Sequence, residues 1–169
     1  MYWAIAPFQS DQAHDFDKAW LYDQKQGVIA IGWHEVGDVS HLSRADLESR
    51  LDEAFPKRPG AARSLSLFYH EIELGHVVVA RRGVKTVMGL GIVNGKPYYD
   101  ESAGRRRSSA RNFKPNFIPV EWISTREVKL PNVIFTQQTV SRVRKHLEII
   151  EGLMRSESSN DLHALGLRR

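Results

Sequence analysis

The chain has no cysteine in its 169 residues. That removes a disulfide framework, a thiolate metal site and a cysteine nucleophile together, and it suits a reducing compartment. Nor is there an apolar run near the roughly 20 residues that a membrane-spanning helix needs. The opening residues MYWAIAP have neither the basic flank nor the long apolar centre of a secretory signal. A cytoplasmic location without membrane attachment is the expectation. The sequence carries no P-loop, no G-x-S-x-G elbow and no carboxylate pair with an obvious proton-transfer task. His34-Glu35 with Asp38, and His70-Glu71 with Glu73, miss the H-E-x-x-H spacing, because the fifth positions are Asp38 and Leu74. The glycines of Gly89-Leu90-Gly91 lie inside an apolar, strand-like run with no helix behind them, so they are not a dinucleotide fingerprint. These absences lead away from catalysis, metals and cofactors and toward a binding domain.

What is present is an ordinary globular composition with unevenly placed charge. Hydrophobic residues make up 41% and charged residues 26%, and a chain of this length buries enough surface to fold as one domain. The net charge is only +4, yet the positive residues cluster. Arg81, Arg82 and Lys85 form one group; Arg105, Arg106, Arg107, Arg111 and Lys114 form another. Clustered arginine and lysine create a local potential able to neutralise phosphates, so these eight are candidate contacts to a nucleic-acid backbone. Trp33 is a second signal. It closes the run Val28-Ile29-Ala30-Ile31-Gly32 ahead of a polar, turn-prone segment, which reads as a buried strand delivering one flat indole to its mouth, where a planar ligand can stack.

Along the chain, the patterns predict a strand at residues 2–6 ended by Pro7, a helix over 15–25 stopped by Gly27, and a strand over 28–33. A capping box at Ser43 to Asp46 opens the next helix, and another follows over 61–72. Residues 76–80 and 86–93 read as a hairpin with Arg81 and Arg82 at its tip, and the alternating Gly89 and Gly91 favour tight curvature. Residues 96–115 read as a long Arg-rich loop with interleaved aromatics, 117–124 as a strand, and 139–154 as one amphipathic helix. The expected class is α+β with a small curved mixed β-barrel. A single domain over 1–154 and a tail or linker over 155–169 are expected.

Four ordered stretches carry a family resemblance: YWAIAP at residues 2–7, GVIAIGWHEVGDVSHLS at 27–43, FYHEIELGHVVVARRGVKTVMGLGIV at 68–93 and PYYDE at 97–101. Together they resemble the EVE branch of the PUA-like superfamily, in particular the EVE domains at the front of modification-dependent, Mcr-type restriction proteins. One position departs from that pattern: the turn that ordinarily reads Gly-Asp is Gly75-His76 here, which puts the bracing of the turn in question. The resemblance implies a five- or six-stranded barrel with flanking helices and a pocket that receives one base. EVE domains are similar to YTH domains, which read N6-methyladenine in an aromatic cage, and Trp33 falls at the position of a cage wall. By the same resemblance Gln9, Ser10 and Asp11 supply polar contacts to the base edge, and Tyr98, Tyr99, Phe113 and Phe117 are candidates for the second wall. The implied function is non-catalytic: flipping and reading a modified, methylated base in double-stranded DNA to target a fused or associated nuclease or GTPase. An RNA-binding module and a small nucleotide-processing enzyme using the same pocket are the alternatives.

Overall fold

The computed structural model describes residues 1–108 and 111–164, apart from the side chains of residues 61, 62 and 157–164. Strand β1 (Tyr2–Ile5) shows how the sheet is used on both faces: Trp3 and Ile5 enter the main core, while Ala4 between them faces a second, smaller one. Helix α1 (Ala13–Gln26) buries Phe16, Ala19, Trp20 and Asp23, and it stops at Gly27, whose positive φ of 62° lets its N–H donate to the Asp23 carbonyl. Strand β2 (Val28–Ile31) is buried throughout and leads into a single 3-10 turn at His34–Val36. In helix α2 (Arg44–Ala54) the Ser43 hydroxyl accepts from the Asp46 N–H, as the capping motif requires. Helix α3 (Pro59–His70) begins on proline, which has no N–H to leave unpaired.

The remaining elements are β3 (Val77–Arg82), β4 (Thr86–Val93), β5 (Tyr98–Tyr99), α4 (Glu101–Arg107), β6 (Asn116–Ser124), β7 (Val128–Lys129), β8 (Val140–Arg142) and α5 (Leu147–Ala164). The strands form one mixed sheet in the order β2-β6-β4-β3-β1-β8, with β5 added to β6 and β7 to β4. The pair β1–β3 is parallel and the other pairings are antiparallel. The ends of this run do not meet, so the sheet is a curled half-barrel flanked by helices, an α+β fold. Curvature has a local cause. Register shifts fall at Ala80/Arg81 and Leu90/Gly91, and a Cβ on Gly91 would come within 2.3 Å of the Val120 side chain and 2.8 Å of the Glu121 carbonyl.

Helices α1, α2 and α3 pack their apolar residues, among them Phe16, Leu47, Leu51, Leu65 and Phe68, against the sheet face that carries Trp3, Ile29, Ile31 and Val78. Each such fully buried side chain contributes on the order of 1.5–3 kcal/mol. No helix among the described residues is long and apolar enough to cross a membrane.

Three expectations need correction. Residues 96–115 are not one long loop: they contain β5 and α4, the latter capped by Asp100, whose carboxylate accepts from the Ala103 N–H at 2.8 Å. Residues 139–154 are not one helix. Val140 to Arg142 pair with β1 as β8, and His146, at φ 59°, ends the extended run just before α5 starts. The hairpin tip is Gly83-Val84-Lys85, and Arg81 and Arg82 belong to β3. The unusual Gly75-His76 turn is braced by the histidine itself. His76 Nδ1 accepts from the Trp3 indole N–H and from the Glu73 backbone N–H, each at 3.1 Å. Those bonds require a neutral ring with its proton on Nε2, and burial lowers the His76 pKa in the same direction.

Candidate functional site

A cavity of about 450 Å³ opens at one end of the curled sheet. That lies within the 300–1,000 Å³ range of small-ligand sites. Its walls come from the ends of several strands: Ala6, Phe8, Gln9, Ser10 and Asp11 follow β1, Gly32 and Trp33 follow β2, and Arg81 and Gly83 end β3. Asn112 and Lys114 precede β6, Gln137 and Thr139 precede β8, and Arg58 and Gly60 begin α3. Because β1 and β3 are parallel, both deliver their C-terminal ends to the same place.

Trp33 is held there in an unusual backbone state. Its φ of 66° and ψ of 45° are left-handed values that a bulky residue rarely adopts, and they cost on the order of 1–2 kcal/mol. The ring is partly buried against the main core and lines the cavity with the rest of its surface. Strain of this kind persists where the surroundings dictate it, and it concentrates at ligand sites. Beside it, Asn116 fixes the preceding residue. Its amide donates to the Gly32 carbonyl at 2.6 Å and its oxygen accepts from the Tyr69 hydroxyl at 2.5 Å, a phenol whose pKa burial raises.

Two cavity-lining residues each have a buried polar atom without a hydrogen-bond partner among the described residues, Gln9 Oε1 and Arg81 Nε. Lys114, only 7% exposed, lies over the Phe8 ring at 4.9 Å and against the bare face of Gly32. Burial lowers its pKa to about 8, the nearby Arg107 charge acts in the same direction, and the Glu35 carboxylate opposes them.

The structure therefore brings together Trp33, Gln9, Ser10 and Asp11, joined by Arg81 and Lys114. It does not bring the second-wall candidates to them. Phe117 is fully buried beneath Tyr98, which stacks on it at 5.5 Å on a different part of the sheet. Phe113 is sandwiched between the His34 ring at 4.4 Å and the Arg105 guanidinium at 4.2 Å, and Tyr99 pairs with Asn116 across β5 and β6. None of these four lines the cavity. The aromatic there besides Trp33 is Phe8, which Lys114 covers.

Two of the arginines also change role. Arg107 is fully buried: its Nε and Nη2 grip the Asp23 carboxylate at 2.7 and 2.6 Å, and Nη2 also reaches the Pro7 carbonyl at 2.8 Å. It has no surface to offer a phosphate. Burial nevertheless dominates the Asp23 carboxyl and raises its pKa to about 6, with Arg107 opposing. Arg81, 3% exposed, gives its two terminal nitrogens to the Gly83 and Gln138 carbonyls and so staples two loops of the cavity rim, leaving Nε without a partner among the described residues; burial lowers its pKa to about 10. Arg82 pairs with Asp17 at 3.1 Å, and Lys85 is half-buried in the hairpin turn. Arg105, Arg106 and Arg111 are exposed, with Arg105 bound to Glu101 at 2.7 Å and Arg106 to Ser102 at 2.6 Å.

Among the lining residues that sequence reasoning missed are Phe8, Arg58, Gly60, Asn112, Gln137 and Thr139. Only the Arg58-Pro59 step had a local signal, as a helix start.

The chain is similar to two solved structures. One, "Mmi1 YTH domain", aligns at a TM-score of 0.32 and 11% identity over 82% of this chain, which spans 55% of the length of that one. The other, "Crystal structure of the MmI1 YTH domain", aligns at 0.35 and 12% identity over 96% of this chain and 98% of that one. No curated protein matches. A family model described as a domain of unknown function (DUF8426) matches residues 3–144. The chain belongs to that family.

Proposed function

We propose that this member of the family is a non-catalytic nucleic-acid-binding module that flips a modified, methylated base out of double-stranded DNA and stacks it on Trp33. The observation that carries the reading is the strained Trp33 at the mouth of a cavity whose wall includes a buried carboxamide oxygen, Gln9 Oε1, with no hydrogen-bond partner among the described residues. A flat apolar ring beside an unfilled acceptor suits a planar, donor-bearing base edge such as an N–H of a purine or pyrimidine.

The energetics are adequate. Extruding a base costs a few kcal/mol. Stacking on an aromatic ring returns about 1–3 kcal/mol per base, and a methyl group taken out of water adds about 0.8 kcal/mol. The exposed Arg105, Arg106 and Arg111 supply phosphate contacts without sequence preference. The ordered motifs that resemble EVE domains support the same reading, and with it a role as the targeting part of a restriction or defence effector, with a fused or associated nuclease or GTPase as partner.

The test is a titration of matched methylated and unmethylated duplexes, with RNA of the same sequence as competitor. Tighter binding of methylated DNA is expected; equal affinity for the two duplexes rejects the reading, and preference for RNA replaces it with an RNA-binding module.

A further inference from the structure

The left-handed backbone of Trp33 is held from both sides. The Gly32 carbonyl belongs to the same planar peptide unit as the Trp33 N–H, so fixing that oxygen fixes one end of the bond about which the Trp33 φ turns. Asn116 does so, through the 2.6 Å bond from its side-chain amide. On the other side the Trp33 carbonyl accepts from the N–H of the buried Val36 at 3.5 Å, which closes the 3-10 turn. Asn116 is fully buried and is held in turn: its backbone stands opposite Ile31 on β2 and Tyr99 on β5, and its side-chain oxygen takes the Tyr69 hydroxyl of α3. A backbone carbonyl only accepts, so the amide nitrogen has to face Gly32 and the oxygen Tyr69, and the side chain has one orientation that serves both. The next residues of β6, Phe117 and Ile118, are apolar and fully buried. A buried amide among them is costly unless bonded, and the bond it makes lands on the peptide that carries the indole.

We propose that Asn116 is the positioning residue of the base pocket: it sets the direction in which Trp33 presents its ring, and the Tyr69 hydroxyl holds Asn116 in place. The inference rests on the reading of Trp33 as a stacking surface, and it assigns selectivity for the methylated base to residues that do not line the cavity. Productive contact needs a ring held within roughly 10–20° of its working plane by hydrogen bonds behind it. A tryptophan released from φ 66° relaxes toward the ordinary negative range and carries its ring away from that plane.

The experiment labels the full chain with 5-fluorotryptophan and uses Trp33→Phe to identify the Trp33 signal among the four. Asn116→Asp keeps the side chain's shape but sets an acceptor against the Gly32 carbonyl. Tyr69→Phe removes only a hydroxyl, and it decides the question alone should Asn116→Asp fail to fold. Each variant should shift or broaden the Trp33 signal in ¹⁹F NMR while Trp3, Trp20 and Trp122 keep theirs. In titrations with methylated and unmethylated duplexes, the affinity ratio should fall about threefold in Tyr69→Phe and about tenfold in Asn116→Asp, with no further fall in a Trp33→Ala background. If the Trp33 signal stays in place in the folded variants, the positioning role is overturned whatever the duplexes do. If it moves and the methyl preference is kept in full, the role in selectivity is overturned. If it moves and the natural chain binds both duplexes equally, the base reading fails while the hold on the indole stands.

Discussion

Arg107 and Lys114 are both buried cations, and the structure treats them in opposite ways. Arg107 has a bidentate carboxylate and a backbone carbonyl, and it ties α4 to α1 and to the segment after β1. Lys114 has an aromatic face and a cavity. The first arrangement pairs the charge within the chain, with Nη1 the one guanidinium nitrogen that has no hydrogen-bond partner among the described residues, and removing either partner strands a charge. The second leaves the ammonium over an aromatic ring, with Glu35 as the opposite charge nearby. Pairing, more than burial or sign, separates a charge that holds the fold from one set on a cavity wall. Sequence offered both residues as equivalent members of one basic cluster.

The sharpest way to break this comparison is by stability. Arg107→Ala, or Asp23→Ala, should cost about 3–5 kcal/mol in urea unfolding, because each leaves an uncompensated buried charge. Lys114→Met should be neutral or stabilising. Equal losses at the two positions would remove the distinction.

Trp33 gives the next largest effect. Trp33→Ala should reduce discrimination between methylated and unmethylated duplexes by about 1–3 kcal/mol, measured by competition binding. Trp33→Gly should lose the same discrimination yet fold more stably than Trp33→Ala by about 1 kcal/mol, since glycine adopts the left-handed backbone without strain.

The pH dependence sharpens the contrast further. Lys114 has a folded pKa of about 8 against 10.5 in the unfolded chain. A depressed value means that burying the charged form costs stability below about pH 8, and that the cost fades as pH rises toward 10.5. Relative to Lys114→Met, the natural chain should gain stability across that window in urea unfolding. An unchanged difference between the two chains from about pH 8 to 10.5 would contradict the lowered pKa. At the far end of the sheet His76, whose pKa is also lowered, stabilises the turn in its neutral form. That contribution is present above about pH 6.5 and is lost as pH falls below it, and His76→Gln, which keeps an acceptor, should flatten the acid limb of the stability curve.

The smallest effect belongs to the exposed cluster. Arg105→Ala should weaken duplexes of every sequence alike and reduce the salt slope of binding by about one.

The strands and helices that were legible share a feature: their signals are local. Gly27 as a helix stop, Ser43 as a cap and the paired glycines of β4 each act within a few residues. Helix α4 was hidden because Arg107, read as a solvated charge, is in fact its buried face, and the acid that neutralises it lies on α1. The division between β8 and α5 was hidden because Val140, Val143, Leu147 and Ile150 fit a helical period, while no glycine or proline marks the break at His146. At the site, Trp33 and the segment Gln9 to Asp11 came from strand-end reasoning and family resemblance. Arg58 and Gly60 at the start of α3, and Gln137 and Thr139 ahead of β8, reach the cavity through a convergence that depends on sheet order and curl, which no short window encodes.

The crease at Gly91 carries one last implication. The indole rides on the strand at one margin of the sheet and Gln9 follows a strand near the other margin, with β6, β4 and β3 between them. How far apart the two jaws stand is thus governed by how sharply the central strand folds over Val120, well away from anything a ligand touches. Adding a single methyl group there would splay the jaws, so a variant such as Gly91→Ala would alter grip by changing aperture while every contacting side chain stayed as it was.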